Sequence, residues 1–340
     1  MTTFMYQEAS SAPEHIAFAL RENARQMREL GEKLRLVNPF GGVTVARGSS
    51  DHAATYFSYL CMIRAGIPVT SVPLSLTTLF NAPWRLARYF ALAISQSGQS
   101  TDLVETLTAL GKGGAYAISM INAPNSPLAA ASREAISLHA GPEKSVAATK
   151  TYIASLAASA QLLAAWLEDR PLQQALASLP ETLHKACSLN WQKAVTMLEN
   201  EEKMIVIGRG LGLAVAQEAA LKFKEACNMQ AEAFSGAEIK HGPMALVGSG
   251  YPVLIFALPG QGQSGLLALA REFRSRQARV LLAADTNIAD RDLDIAAAPD
   301  SALSPISAIQ SFYIMVEQLA RARGLDPDTP RFLNKVTVTV

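Results

Sequence analysis

The sequence predicts an α/β protein made of two domains in tandem, each with a mostly parallel sheet flanked by helices. Three observations predict it. Short apolar runs end in Ser/Gly turns and lead into helix-like stretches, the pattern of βαβ units. The pattern occurs twice: Thr44-Val-Ala-Arg-Gly is echoed by Met204-Ile-Val-Ile-Gly-Arg-Gly, and Leu92-Ala-Ile-Ser-Gln-Ser-Gly-Gln-Ser by Ile255-Phe-Ala-Leu-Pro-Gly-Gln-Gly-Gln-Ser. A length of 340 residues, 49% hydrophobic and 17% charged, suffices for about two domains with substantial cores.

Residues 1–36 read as an N-terminal helical segment. Ile16, Leu20, Ala24 and Met27 recur there at helical spacing over 12–36, until Asn38-Pro-Phe-Gly-Gly breaks the run. The first sheet domain covers 37–167. Its strands begin at Val43, Pro68, Tyr89 and Ala115, with one more at 137–139, and helices occupy 51–65 and 101–110. The run 151–167 is uncharged, but it is short for a membrane span and carries Ser and Gln, so it reads as a buried or interface helix. The stretch 168–190 opens with polar residues and reads as the linker. The second sheet domain covers 191–330, with a helix at 213–228, and a tail at 331–340 ends in alternating Val and Thr.

Composition removes several classes of function. The formal net charge is +1 with no basic stripe, which argues against nucleic acid and anionic membranes as partners. Cys61, Cys187 and Cys227 are widely spaced and form no CxxC, as expected of a chain kept in a reducing cytoplasm. The N-terminus has no basic region followed by an apolar core, so no signal peptide is read. Gly208, Gly210 and Gly212 do not have the GxGxxG spacing, and no GxxxxGK[ST] loop occurs. His15, His52, His139, His184 and His241 are scattered, so no metal site and no cofactor are expected.

Two stretches can carry chemistry. On the helix at 213–228, Val215, Ala219, Phe223 and Ala226 share an apolar face, with Glu218, Lys222 and Glu225 on its rim and Lys224 pointing away. Lys222 and Glu225 are either a plain surface ion pair or a carboxylate tuned for proton transfer at a half-buried edge. In Ser95-Gln96-Ser97-Gly98-Gln99-Ser100, three hydroxyls surround one glycine at the end of a strand. This is either an ordinary helix cap or a site for the phosphate of a sugar, with Ser49 and Ser50 placed to join it.

These segments carry a family resemblance. SQSGQS, the run SVAATK at 145–150, the block EAALKFKEACNMQAEAFSGAEIKHGP and the ending PRFLNKVTVTV resemble the double sugar-isomerase (SIS) domain proteins. They look most like the isomerase half of glutamine–fructose-6-phosphate aminotransferase, and the likeness runs from about Met5 to Val340. The resemblance implies two tandem SIS domains, each a mostly parallel five-stranded sheet in a flavodoxin- or Rossmann-like αβα sandwich. It implies that Ser50, Ser95, Gln96, Ser97 and Ser100 bind the phosphate and nearby hydroxyls, with Val146 touching the sugar through its backbone. Glu225 would move a proton between C1 and C2, and Lys222 would sit by the O1/O5 end. Glu143 would support the site, and Lys335 in the tail would form an imine. His241 would open the sugar ring, supplied by the partner subunit of a homodimer.

The chain starts Met1-Thr2-Thr3 and proceeds directly to the isomerase half, with no glutaminase in front. The expected reaction is therefore deamination: glucosamine 6-phosphate plus water gives fructose 6-phosphate plus ammonia. Other amino-sugar phosphates (fructosamine or galactosamine 6-phosphate), ammonia-dependent synthesis and a non-catalytic sugar-phosphate sensor are the alternatives. Arg47, Gln99 and Ala148 depart from the synthase pattern, where a small residue, an acid and a serine stand.

Overall fold

The computed structural model describes residues 2–335. They fall into two compact units that do not simply follow one another along the chain. One holds Glu14–Pro142 and Lys150–Ala177, with Asn334 and Lys335 counted in it. The other holds the N-terminal residues to Pro13, the short segment Glu143–Thr149, and Ser178–Leu333.

The first unit contains β1 (Gly41–Val45), β2 (Val69–Ser71), β3 (Tyr89–Ser95), β4 (Tyr116–Ile121) and β5 (Glu134–Ser137) in the order β2-β1-β3-β4-β5. Every pairing is parallel, with Val43 beside Ala91 and Ile94 beside Met120. β4 is buried at every position and β3 at all but its first, because helices cover both faces of a parallel sheet. Gly42 on β1 lets the sheet close around an aromatic ring: a Cβ there would lie 2.0 Å from Phe90 Cζ. The uncharged run forms the helix Lys150–Trp166, almost wholly buried, which packs against the helix Ala24–Val37.

The second unit repeats the plan. β6 (Lys203–Gly208), β7 (Gln230–Ser235), β8 (Pro252–Ala257), β9 (Arg279–Asp285) and β10 (Leu293–Ile295) form an all-parallel sheet in the order β10-β9-β8-β6-β7. Read from its other edge, this is the first sheet's order with every strand number raised by five. The sequence echo is therefore a duplicated fold.

Several local expectations change. The single helix over 12–36 is two, Ala12–Glu22 and Ala24–Val37, divided at Asn23. Asn23 is buried and its Nδ2 donates to the Ser137 carbonyl at 2.8 Å, a bond that a surface helix pattern does not reveal. The strand placed at 137–139 lies earlier, at Glu134–Ser137, and the left-handed φ of His139 (50°) is incompatible with its continuation. The stretch 168–190 contains two helices, Arg170–Ala177 and Leu179–Cys187, which bury Leu172, Leu176 and Leu183. An additional helix, Phe4–Ser10, opens the chain. No helix among the described residues is long and apolar enough to cross a membrane.

Candidate functional site

The serine loop joins β3 to the helix Thr101–Lys112 in the first unit. Two of its hydroxyls fold the turn itself: Ser95 Oγ accepts the Gly98 N–H at 3.0 Å and Ser97 Oγ accepts the Gln99 N–H at 3.3 Å. Gly98 has a φ of +63°, and a Cβ there would lie 2.1 Å from Ser126 Oγ, so the turn requires glycine. Ser100 occupies the N-cap position, but its side chain makes no capping bond. The Ser100 hydroxyl thus caps nothing here, and the Leu103 N–H of the first turn is taken by Asp102 Oδ1 at 2.8 Å instead. Ser49 and Ser50 open the helix after β1, with Gly48 as N-cap and the Ser50 N–H bonded to the Arg47 carbonyl at 3.1 Å. The adjacent β1 and β3 lead to helices on opposite sides, the switch point where open α/β sheets bind ligands. Gln96 is half-buried in the same loop.

In the second unit the helix Gly212–Cys227 carries Glu218, Lys222 and Glu225 one turn apart. The expected half-buried rim is a full burial: the Glu218 and Lys222 side chains are 0% exposed, and only Glu225 reaches out, at 22%. Lys222 Nζ lies 3.3 Å from Glu218 Oε1 and bonds Glu225 Oε2 closely. Tyr313 Oη, from the helix Ser304–Ala322, donates to Glu218 Oε1 at 2.8 Å. Burial by itself pulls the Lys222 pKa down, but the two carboxylates outweigh it and hold the amine above its ordinary range. The charged form of Lys222 is thus favoured, and its burial excludes the surface ion-pair reading. Lys224 is exposed, but it lines the same cleft as Glu225.

Glu225 opens into a cleft of about 630 Å³ within this unit. Leu221, Lys224, Glu225, Ala226 and Asn228 form one wall, and Gly324 to Asp326 and Thr329 to Leu333 of the C-terminal chain form the other. Arg323 anchors the point where that chain departs. Its Nε donates to the Cys227 carbonyl at 2.8 Å, and its Nη1 to the carbonyls of Glu199 and Glu201 at 2.8 and 2.7 Å.

The segment Glu143–Thr149 is tied into the same unit from three directions. Glu143 is buried and accepts the Thr149 N–H at 3.0 Å, closing the loop on itself. Glu8, 6% exposed, accepts the backbone N–H groups of Lys144 and Ser145. The Val146 N–H donates to the Asp328 carbonyl at 3.1 Å, so any backbone contact from Val146 to a ligand falls to its own carbonyl. Asp328 in turn accepts the N–H groups of Phe4 and Met5, each at 2.7 Å, at the start of the first helix. Helix, loop and tail are thus one hydrogen-bonded clasp.

The remaining expected residues are placed as follows. His241 ends the 3-10 turn Glu238–His241 and is exposed. Lys335 is the last described residue and is half-buried; the rest of the expected catalytic tail lies outside the described residues. The serine loop and Lys335 belong to the first unit, and Glu143, Val146, Lys222, Glu225 and His241 to the second. Among the described residues, no group of three or more His, Cys, Asp or Glu is arranged to hold a metal. Sequence reasoning missed Glu8, Tyr313 and Asp328. Nothing in the spacing of Glu8 marks a carboxylate that binds a loop more than a hundred residues away.

Two outcomes test these constellations. Lys222→Ala leaves Glu218 as an uncompensated buried charge and should destabilise the protein by about 3–5 kcal/mol in urea titration, against ~0.5 kcal/mol or less for Lys224→Ala. Glu8→Ala leaves the N–H groups of Lys144 and Ser145 without their acceptor. Hydrogen exchange at Lys144 and Ser145 should accelerate roughly tenfold or more, while exchange in the β3–β4 core is unchanged.

Comparison with known proteins places this geometry. The family model described as the SIS domain matches residues 43–165 and 197–322, one copy per sheet. A glutamine–fructose-6-phosphate aminotransferase [isomerizing] from Gloeobacter violaceus is 36% identical over 315 residues, covering 87% of this chain and 51% of that protein. The same enzyme from Methanothermobacter thermautotrophicus is 32% identical over 98% of this chain and 57% of its own length. The chain thus spans about half the length of the curated relatives it matches. Among solved structures, a protein provisionally named as a phosphosugar isomerase, from Silicibacter pomeroyi DSS-3, superposes with a TM-score of 0.91 at 41% identity, covering 96% of this chain and all (100%) of that one. A glucosamine-6-phosphate deaminase from Thermotoga maritima shares the fold, with a TM-score of 0.80 at 22% identity over 99% of this chain and 100% of that one. Two matched copies and near-complete alignment with these relatives lead to one conclusion: the chain belongs to the SIS domain family, as two tandem SIS domains.

Proposed function

We propose that the protein deaminates glucosamine 6-phosphate, taking up water and releasing fructose 6-phosphate and ammonia. The observation that carries the reading is Glu225, a carboxylate paired with a buried lysine and opening into a cleft walled by the C-terminal chain. An aldose–ketose shift needs one such carboxylate, able to take a proton from one carbon and return it to the next. The assigned steps balance. His241 of the partner subunit opens the ring. Glu225 takes the C2 proton of the open-chain amino aldose and delivers it to C1, so that C1 becomes an alcohol and C2 an imine. Lys335 displaces ammonia from C2, and water hydrolyses the resulting protein imine to the ketone. Ser50, Ser95, Gln96, Ser97 and Ser100 are assigned to the phosphate and adjoining hydroxyls, and Ser49 to the same helix terminus. Glu143 holds the loop that presents Val146.

We take the deamination direction, which draws only on water; ammonia-dependent synthesis is the alternative, separated from it by measuring both directions at defined ammonia. The names of the aminotransferase and deaminase relatives support an amino-sugar phosphate as the substrate class. The departures at Arg47, Gln99 and Ala148 make galactosamine 6-phosphate and fructosamine 6-phosphate the comparison substrates.

Incubation with glucosamine 6-phosphate should yield ammonia and fructose 6-phosphate in equal amounts, and Glu225→Gln should lower the rate by about 10²–10⁴-fold while fructose 6-phosphate still binds. A wild-type protein that turns over none of the three amino sugars would refute the reading. The partner assignment is separate: mixed Glu225→Gln and His241→Ala subunits should regain activity that neither variant has alone, and no recovery would place both roles within one chain.

A further inference from the structure

Arg47 follows the end of β1, and its side chain reaches across to the helix that begins after the serine loop. Its Nη2 and Nε donate to the same carboxylate oxygen, Asp102 Oδ2, at 2.8 and 3.2 Å. The other oxygen, Asp102 Oδ1, accepts the N–H of Leu103 at 2.8 Å. Asp102 is 2% exposed, whereas the Arg47 side chain is 55% exposed. A buried acid is therefore fixed in the first turn of the helix, two residues after Ser100, and a half-open guanidinium lies over it.

That arrangement poses an electrostatic problem. A carboxylate in a first turn suits the helix dipole. It also puts a negative charge beside the N–H groups and the hydroxyl of Ser100, where a doubly charged phosphate would have to bind. At short range and away from bulk water, such like charges repel strongly. A cation bonded to the acid offsets that repulsion, and Arg47 is the cation bonded to Asp102 Oδ2. The duplicated half provides the contrast. There the equivalent arginine, Arg209, also follows its strand, but it lies along Gly262, and Leu266 stands where Asp102 would align.

We propose that Arg47 is a positioning residue that neutralises Asp102 and so lets the serine loop accept a phosphate dianion. The inference rests on the reading of that loop as the phosphate site. Arg47 acts on the ligand through Asp102, so removing both members of the pair should largely restore what removing the arginine destroys. This distinguishes neutralisation from a direct arginine–phosphate contact, in which the double variant would stay weak. Because the phosphate remains distant from the reacting carbons, the loss should appear in KM and in ligand affinity, with kcat maintained.

The experiment is calorimetric titration of the full chain with fructose 6-phosphate. Arg47→Ala should bind roughly tenfold more weakly than wild type. Arg47→Ala combined with Asp102→Asn should return to within about threefold of wild type, since the isosteric amide keeps the Leu103 bond without the charge. Arg209→Ala should match wild type. Arg47→Ala binding as tightly as wild type, or a double variant as weak as the single one, would overturn the inference and leave the phosphate reading standing. Failure of wild type to bind fructose 6-phosphate would overturn both.

Discussion

A single ammonium group, that of Lys222, is the constraint on which the second unit's chemistry depends. It is wholly buried, and removing such a charge from water costs several kcal/mol unless partners compensate. Glu218 compensates from one turn below and Glu225 from one turn above, and Tyr313 satisfies Glu218 in its turn. The geometry can be read outward from the core as tyrosine, acid, base, acid, cleft. Only the last member is open to the surroundings. The inner members fix its position and its company, so the outermost carboxylate is held from the buried side of the helix.

The duplicated sheets show how little of a fold need change to separate two chemistries. Both have the same strand order and all-parallel pairing. The first copy follows its third strand with hydroxyls and a glycine that only glycine can occupy. The second follows the matching strand with Leu258-Pro259-Gly260 and devotes its first crossover helix to the Glu218–Lys222–Glu225 series. These chemical differences lie at a strand end and on one helix, outside cores made largely of Val, Ile, Leu and Ala.

What the sequence reveals follows the range of the forces involved. The βαβ alternation, the buried helix Lys150–Trp166 and the apolar face around Phe223 are legible because burial imposes a period on neighbouring residues. The i, i+4, i+7 placement of Glu218, Lys222 and Glu225 is legible too, but its full burial is not, because the covering helix Ser304–Ala322 lies far along the chain. The break at Asn23 and the role of Glu8 were invisible for the same reason: each depends on a backbone group over a hundred residues away. The stretch 168–190 misled through its polar opening, since its leucines at 172, 176 and 183 carry the helical signal.

The clasp at Glu8 and Asp328 also sets an order of assembly. The Phe4 N–H finds its acceptor 324 residues later, and the Ser145 hydroxyl donates to the carbonyl of Pro327. On the ribosome, the segment at 143–149 emerges after Glu8 but long before Pro327 and Asp328, which complete its hydrogen bonds. The first sheet has all its strands by Ser137 and can fold while synthesis continues. The loop carrying Val146 has to wait until nearly the whole chain has been released, so its final closure is a late, non-local event in folding. A polypeptide that stops short of Asp328 thus has every strand of the first sheet but lacks the carbonyl to which the Val146 N–H is bonded.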